Sequence, residues 1–213
     1  MKVINKISQP IMQILRKLHY KKMRKRLKNS EFSIISSDCF GAMVYHNLGQ
    51  RFNSPTINLC FSQEDFYQFV LHLKDYLAAE LVEIEDKTVT YPVGSLTYDD
   101  RTIRINFMHY HSFEEAKRKW DERKQRVDFS NIYIFQVVSQ GLTQEYLDRF
   151  SALPYRHKLL IAHSNNYTCD CMVTHDIFQK RKKNWGIMLK YKSPLSSSRY
   201  MDDIDYVSFL NRT

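Results

Sequence analysis

The feature that most constrains this chain is a pair of continuous apolar runs, Ile132–Val138 (IYIFQVV) and Leu159–Ala162 (LLIA), with a helical stretch from about Thr143 to Phe150 between them. Uninterrupted apolar strands are what a sheet covered on both faces requires, and a helix between two of them is the crossover that parallel neighbours need. Upstream, Phe32–Ser36 (FSIIS), Thr56–Phe61, Leu81–Val89 and Thr102–Phe107 read as further strands, and Trp185–Lys190 as a possible last one. Helices alternate with them. Ala42–Leu48 ends at Gly49, a usual residue just past a helix. Ser62 with Asp65 resembles an N-cap, followed by a stripe of Phe66, Phe69, Val70, Leu73, Tyr76 and Leu77. Ser112-Phe-Glu-Glu115 is a capping box opening a helix to about Val127, with Phe113, Ala116 and Trp120 on one face. This alternation predicts an α/β fold: a single three-layer domain with a mostly parallel or mixed sheet.

Charge divides the chain. It has 213 residues and a formal net charge of +9, from 32 Lys+Arg against 23 Asp+Glu. Residues 1–30 hold ten of the cations and no acid, which leaves 22 basic and 23 acidic side chains for the rest. The chain therefore reads as a basic arm, 1–30, on a nearly neutral body, 31–213. A neutral body argues against the basic face that nucleic-acid-binding domains build into their fold. In the arm, Ile11, Ile14, Leu15, Leu18, Met23 and Leu27 recur at mostly helical spacing with cations between them, and Pro10 stands where a first helical turn tolerates it. A basic amphipathic helix of this kind suits an anionic membrane surface; the alternatives are a solvated helix packed on its own domain and a helix that meets a nucleic-acid or protein partner. No stretch approaches the roughly 18 apolar residues of a membrane span. The four cysteines are too few for a disulfide framework, and without a signal-peptide core a reducing cytoplasm is the default expectation.

Two loops carry groups that could do chemistry. In open α/β sheets, ligands sit beyond the carboxyl ends of strands. The loop after the first strand reads Ser36-Ser37-Asp38-Cys39-Phe40-Gly41 and leads into a helix, so its backbone N–H groups could meet a phosphate or carboxylate. Cys39 there could be a nucleophile with a lowered pKa. Equally, Ser37 or Asp38 could simply cap the helix over a buried Cys39. The second loop holds His109, Tyr110 and His111, ahead of a helix on which Glu115, Lys119, Arg123 and Arg126 lie three or four apart and share a side. A histidine or carboxylate can take a proton from a hydroxyl, and a guanidinium suits a diphosphate. The alternative is that Glu115 completes the capping box and the cations form a solvated ion-pair face. Cys169-Asp-Cys171 with His163 and His175, and Asp203-Ile-Asp205, have metal-ligand residue types but lack the rest of a metal motif, so no metal site is expected.

The ordered series S-x-x-C-x-G (36–41), N-S-P-T (53–56), Y-P-V-G (91–94) and H-Y-x-S-x-E-E-A-x-x-K-W-x-x-R (109–123) resembles the bacterial exopolysaccharide-biosynthesis family catalogued as domain of unknown function 1919, over roughly residues 32–165. Ser36, Cys39 and Gly41 match the first motif, with Asp38 where Asn is usual and Phe40 where Trp is usual. The resemblance implies a cytoplasmic α/β protein of capsule or exopolysaccharide synthesis, for which both glycosyltransferase and acetyltransferase labels are in use. It singles out His109, Glu115 and Cys39 as catalytic candidates. Substrate contacts are expected from Ser36, Asn53, Ser54, Tyr91, Lys119 and Arg123, which match the motifs, and from Ser37, Asp38 and His111 beside them in the two loops. The leading expectation is a glycosyltransferase moving a sugar from a nucleotide-sugar donor to a lipid-linked saccharide acceptor at the inner face of the membrane. Lys119 and Arg123 would hold the donor diphosphate, and His109 or Glu115 would take the proton of the attacking hydroxyl. The arm would rest on the anionic membrane surface, and no nucleic-acid partner is expected. The alternatives are an O-acetyltransferase using acetyl-coenzyme A, with Cys39 or His109 carrying the transfer, and a non-enzymatic assembly partner.

Overall fold

The computed structural model describes residues 2–162, 167–180 and 186–212, with backbone alone for 2–8, 179 and 180. Their elements in order are α1 (Lys2–Arg26), β1 (Ser33–Ser36), α2 (Cys39–Leu48), α3 (Gln63–Leu71), α4 (Leu73–Ala78), β2 (Val82–Ile84), β3 (Val93–Tyr98), β4 (Arg101–Asn106), α5 (Phe113–Lys124), β5 (Ile132–Val138), α6 (Gln144–Ser151), β6 (His157–Ala162), β7 (Met172–Thr174), α7 (Ile177–Lys180) and α8 (Tyr206–Leu210), with single 3-10 turns at Ile187–Leu189 and Tyr200–Asp203.

Among the described residues the strands form two sheets. One is four-stranded and parallel, ordered β1-β5-β6-β7; the other is an antiparallel meander, β2-β3-β4. Side chains of the parallel strands alternate between two cores. Ile35, Ile132, Ile134, Leu160 and Ala162 join the core under α3 to α6 and the meander, where Phe69, Trp120 and Phe150 are buried. Ile34, Tyr133, Phe135, Leu159 and Ile161 face the other core, under α1, α2 and α8. The result is the three-layer α/β arrangement expected, with the antiparallel meander as part of one outer layer.

Several local expectations change. Thr56–Phe61 is a loop that meets β4 at the single bridge Cys60–Asn106, and Asn58 within it has φ 62°. The strand expected over Leu81–Val89 shortens to β2, because Asp86 closes a turn by accepting from the Thr88 N–H and hydroxyl. The stripe from Phe66 to Leu77 breaks into two helices at His72. Ile187–Leu189 is a 3-10 turn, and Trp185 lies outside the described residues.

Helix α1 starts at Lys2, well before Pro10. At 1.5 Å per residue it is about 37 Å long. Met12, Tyr20 and Met23 are buried against the body. Arg24 Nε donates to the Asn47 carbonyl at 2.8 Å, Tyr20 Oη to Asp202 at 3.3 Å, and Arg26 pairs with Asp205 at 2.6 Å. The opposite face shows Ile11, Ile14, Leu15 and Leu18, spaced i, i+3, i+4, i+7 and 43–58% exposed. Among the described residues, no helix is long and apolar enough to cross a membrane.

Candidate functional site

A cleft of about 380 Å³ opens beyond the carboxyl ends of β1 and β5. Ser37, Asp38, Gln63, Gln136, Ser139 and Gln140 supply its polar lining, and Phe61, Phe178 and Ile187–Leu189 its apolar walls. None of its described lining residues is Lys or Arg.

The first motif shapes this cleft by packing α2 tightly on β1. A Cβ on Gly41 would lie 2.7 Å from Ser36 Cβ and 2.9 Å from Ile34 Cγ2, closer than side chains tolerate. Ser36 Oγ accepts from the Gly41 N–H at 3.2 Å, and Asp38 Oδ1 from the Phe40 N–H at 2.9 Å, so both side chains cap α2. Ser37 Oγ accepts from the Val137 N–H at 3.2 Å, and the Ser37 carbonyl from the Phe61 N–H at 2.9 Å. The loop hydroxyls are thus committed to the backbone, and a carboxylate stands at the helix end where an anion had been expected. Burial pushes the Asp38 carboxyl up to about 6, offset only in part by the Phe40 N–H.

Cys39 departs from the sequence expectation. Burial, with Asp38 and Cys60 adding to it, pushes its thiol up to about 12 rather than down. At neutral pH it is a half-buried, protonated thiol that reaches the Leu59 carbonyl at 4.0 Å. Since the thiolate is the nucleophile, this position does not activate it.

The second motif builds structure. Tyr110 is buried; its hydroxyl donates to the Ile57 carbonyl at 3.0 Å and accepts from Arg123 Nη1 at 2.7 Å. The Arg123 guanidinium also lies 5.3 Å from the centre of the Phe52 ring. Ser112 Oγ caps α5 through the Glu115 N–H, and the Glu115 carboxylate reaches back to the His111 N–H at 3.5 Å. Lys119 and Arg126 both pair with Glu122. His109 and His111 are exposed, and the His109 backbone N–H reaches the Asn58 carbonyl at 3.4 Å. None of His109, His111, Glu115, Lys119 or Arg123 lines the cleft.

The N-S-P-T motif has a separate task. β1 is an edge strand, and its outward N–H groups need partners. Thr56 Oγ1 accepts from the Ser36 N–H at 3.0 Å and is braced by Ser54 Oγ at 2.9 Å; Tyr45 Oη accepts from the Ile34 N–H at 2.8 Å. Asn53 and Tyr91 are half-buried and do not line the cleft. The late acidic pair is also engaged: Asp203 with His175 and Lys192, Asp205 with Arg26 and the start of α8. Cys169 and Cys171 lie with sulfurs 2.6 Å apart, and His163 falls outside the described residues.

Sequence reading therefore found Ser37 and Asp38 but missed Gln63, Gln136, Ser139, Gln140 and the Gly186–Leu189 wall. Gln136 had a signal: a carboxamide inside an otherwise apolar strand is a buried polar group that must be partnered. It donates to Tyr146 Oη at 2.6 Å, and that hydroxyl donates on to the Gln63 carbonyl at 2.8 Å. The distant wall had none, since only folding brings it there.

Comparison with known proteins agrees with the motif reading on the family and extends the match beyond residues 32–165. An uncharacterized protein of Haemophilus influenzae is 31% identical over 189 residues, covering 89% of this chain and 88% of that one. The model of the family described as Domain of unknown function (DUF1919) matches residues 11–211, so it takes in most of α1 along with both sheets, and the chain belongs to the DUF1919 family.

Proposed function

We propose that this protein is a peripheral membrane glycosyltransferase of capsule or exopolysaccharide assembly, acting at the cytoplasmic face of the membrane on a nucleotide-sugar donor and a lipid-linked saccharide acceptor. The observation that carries the reading is Asp38: a carboxyl with a pKa of about 6, in a cleft at the carboxyl ends of parallel strands, among neutral hydroxyl and carboxamide groups suited to a sugar. A carboxyl tuned toward neutrality is an effective general base. Asp38, rather than His109 or Glu115, takes the proton of the acceptor hydroxyl. The oxygen attacks the anomeric carbon as the bond to the donor diphosphate breaks, and the nucleoside diphosphate leaves. Acyl transfer through Cys39 is less well supported, because its thiol is held protonated.

The membrane part of the reading is supported by α1. Its exposed Ile11, Ile14, Leu15 and Leu18 stripe is bordered by the exposed Lys17, Lys21, Lys22 and Lys25. Apolar insertion with flanking lysines near lipid phosphates is the chemistry of an interfacial helix, with each cation contributing about 1 kcal/mol near an anionic surface.

The test is a panel of nucleotide sugars with purified protein, following hydrolysis or transfer. Wild type should turn over at least one donor, with activity rising through an apparent pKa near 6. Asp38→Asn should lose it while staying folded. Turnover that survives in Asp38→Asn would reject Asp38 as the base; binding of coenzyme A with no binding of any nucleotide sugar would reject glycosyl transfer.

A further inference from the structure

A second cleft, of about 570 Å³, lies at the opposite end of the parallel sheet, against the amino ends of β5 and β6. Its lining includes Lys28, Arg156 and Arg212 and no Asp or Glu. None of these three cations has a carboxylate partner among the described residues; Arg212 lies over the Phe209 ring, 5.3 Å from its centre.

Their gathering is built into the fold. Asn211 Oδ1 accepts from the Lys28 and Asn29 N–H groups at 2.8 and 3.3 Å, and its Nδ2 donates to the Arg26 carbonyl at 2.9 Å. Asn29 Nδ2 donates to the Leu210 carbonyl at 2.9 Å. These bonds stitch the segment after α1 to the chain after α8 and so set Lys28 beside Arg212. Arg156 immediately precedes β6, next to His157, whose ring stacks on Tyr133 with centroids 4.6 Å apart. Burial and then the nearby charges of Arg156 and Arg212 hold the His157 pKa down. Like charges brought together with no acid among them repel, and an anion relieves that cost.

We propose that this cleft binds the phosphoryl group of a phosphate ester or diphosphate, with Arg156 and Arg212 as the principal contacts and Lys28 at the rim. Guanidinium groups suit phosphate oxygens. The volume exceeds what one phosphate fills and falls in the range of small-molecule sites, and Tyr155, fixed by donating to the Val70 carbonyl at 2.6 Å, offers the organic part a wall. This site is independent of Asp38.

The experiment titrates the full chain with inorganic phosphate, pyrophosphate, a nucleoside diphosphate and soluble dihexanoyl phosphatidate, by calorimetry and by NMR of His157. Saturable binding is expected from at least one, accompanied by a rise in the His157 pKa as the anion offsets the arginine charges. The ranking tells a free or nucleotide phosphate from a lipid headgroup. The double variant Arg156→Gln, Arg212→Gln should weaken binding about tenfold or more, and Arg156→Lys, Arg212→Lys should restore part of it. No saturable binding by any of the four probes, or affinity unchanged in the Gln variant, would overturn the proposal.

Discussion

Arg123 donates through Nη1 to the hydroxyl of Tyr110 at 2.7 Å, and that hydroxyl donates in turn to the Ile57 carbonyl at 3.0 Å. This chain ties α5 to the turn before it and to the buried loop that seals β1. The tyrosine and arginine of the second motif are thereby committed to structure, and neither lines the cleft. Tyr110→Phe should therefore lower stability by about 1–3 kcal/mol, the cost of leaving a half-buried charged donor and a buried carbonyl unpartnered. Urea unfolding measures this; a loss of turnover with unchanged stability would instead place Tyr110 at the substrate.

Asp38 makes stability depend on pH. Its folded pKa of about 6 lies above the ordinary 3.8, so the folded state holds the proton more tightly. Its contribution is complete below pH 3.8 and is lost as pH rises through 6. The size is about 3 kcal/mol, from roughly two units at 1.36 kcal/mol each. Asp38→Asn keeps a capping oxygen and removes the charge, so it should gain stability over wild type at pH 8 and not at pH 4. Parallel thermal unfolding of the two proteins across that range checks the sign.

Gly41→Ala places a methyl 2.7 Å from Ser36 Cβ and 2.9 Å from Ile34 Cγ2. Both neighbours sit in β1, so α2 must lift. A loss of about 1–3 kcal/mol is expected. Gly141, with open space around it but φ +75°, is the comparison site: its substitution reports backbone strain without a clash.

The two faces of α1 should separate in experiment. Ile14→Glu with Leu18→Glu, on the exposed face, should leave thermal stability unchanged and release the protein from anionic vesicles in co-sedimentation. Met23→Ala, on the buried face, should cost about 2–5 kcal/mol while vesicle binding of the folded protein persists. If the glutamate pair pellets as wild type does, the membrane role of the stripe is wrong. Removing residues 1–30 is no clean test, because it also takes away Tyr20, Met23 and the Arg24 and Arg26 contacts.

Local signals in the sequence were sound where the interaction was itself local. Ser62 and Ser112 each accept from the N–H three residues on, as their spacing implies, and Thr143, where a helix was expected to begin, does the same. The buried runs Ile132–Val138 and Leu159–Ala162 became adjacent parallel strands, because a strand covered on both faces must be apolar throughout. Val93–Tyr98 was legible as a motif and not as a strand. It pairs with Arg101–Asn106 across a turn where Asp99 takes φ 54°, and its Gly94 admits Leu81, Phe107 and Phe113. Thr56–Phe61 had strand composition but found only one bridge, since the edge of β1 beside it is occupied by the side chains of Thr56 and Tyr45.

By itself, the sequence determined the α/β class, the capped helices, the buried parallel strands and the amphipathic basic N-terminal helix, all set by contacts within a few residues or by apolar periodicity. Tertiary structure alone decided that the Cys39 thiol is half-buried and held protonated and that the Asp38 carboxyl is pushed up to about 6. It also decided that His109 and Glu115 stand outside the cleft. Ionisation depends on which groups from distant segments exclude water and which charges they bring, and no spacing along the chain records that.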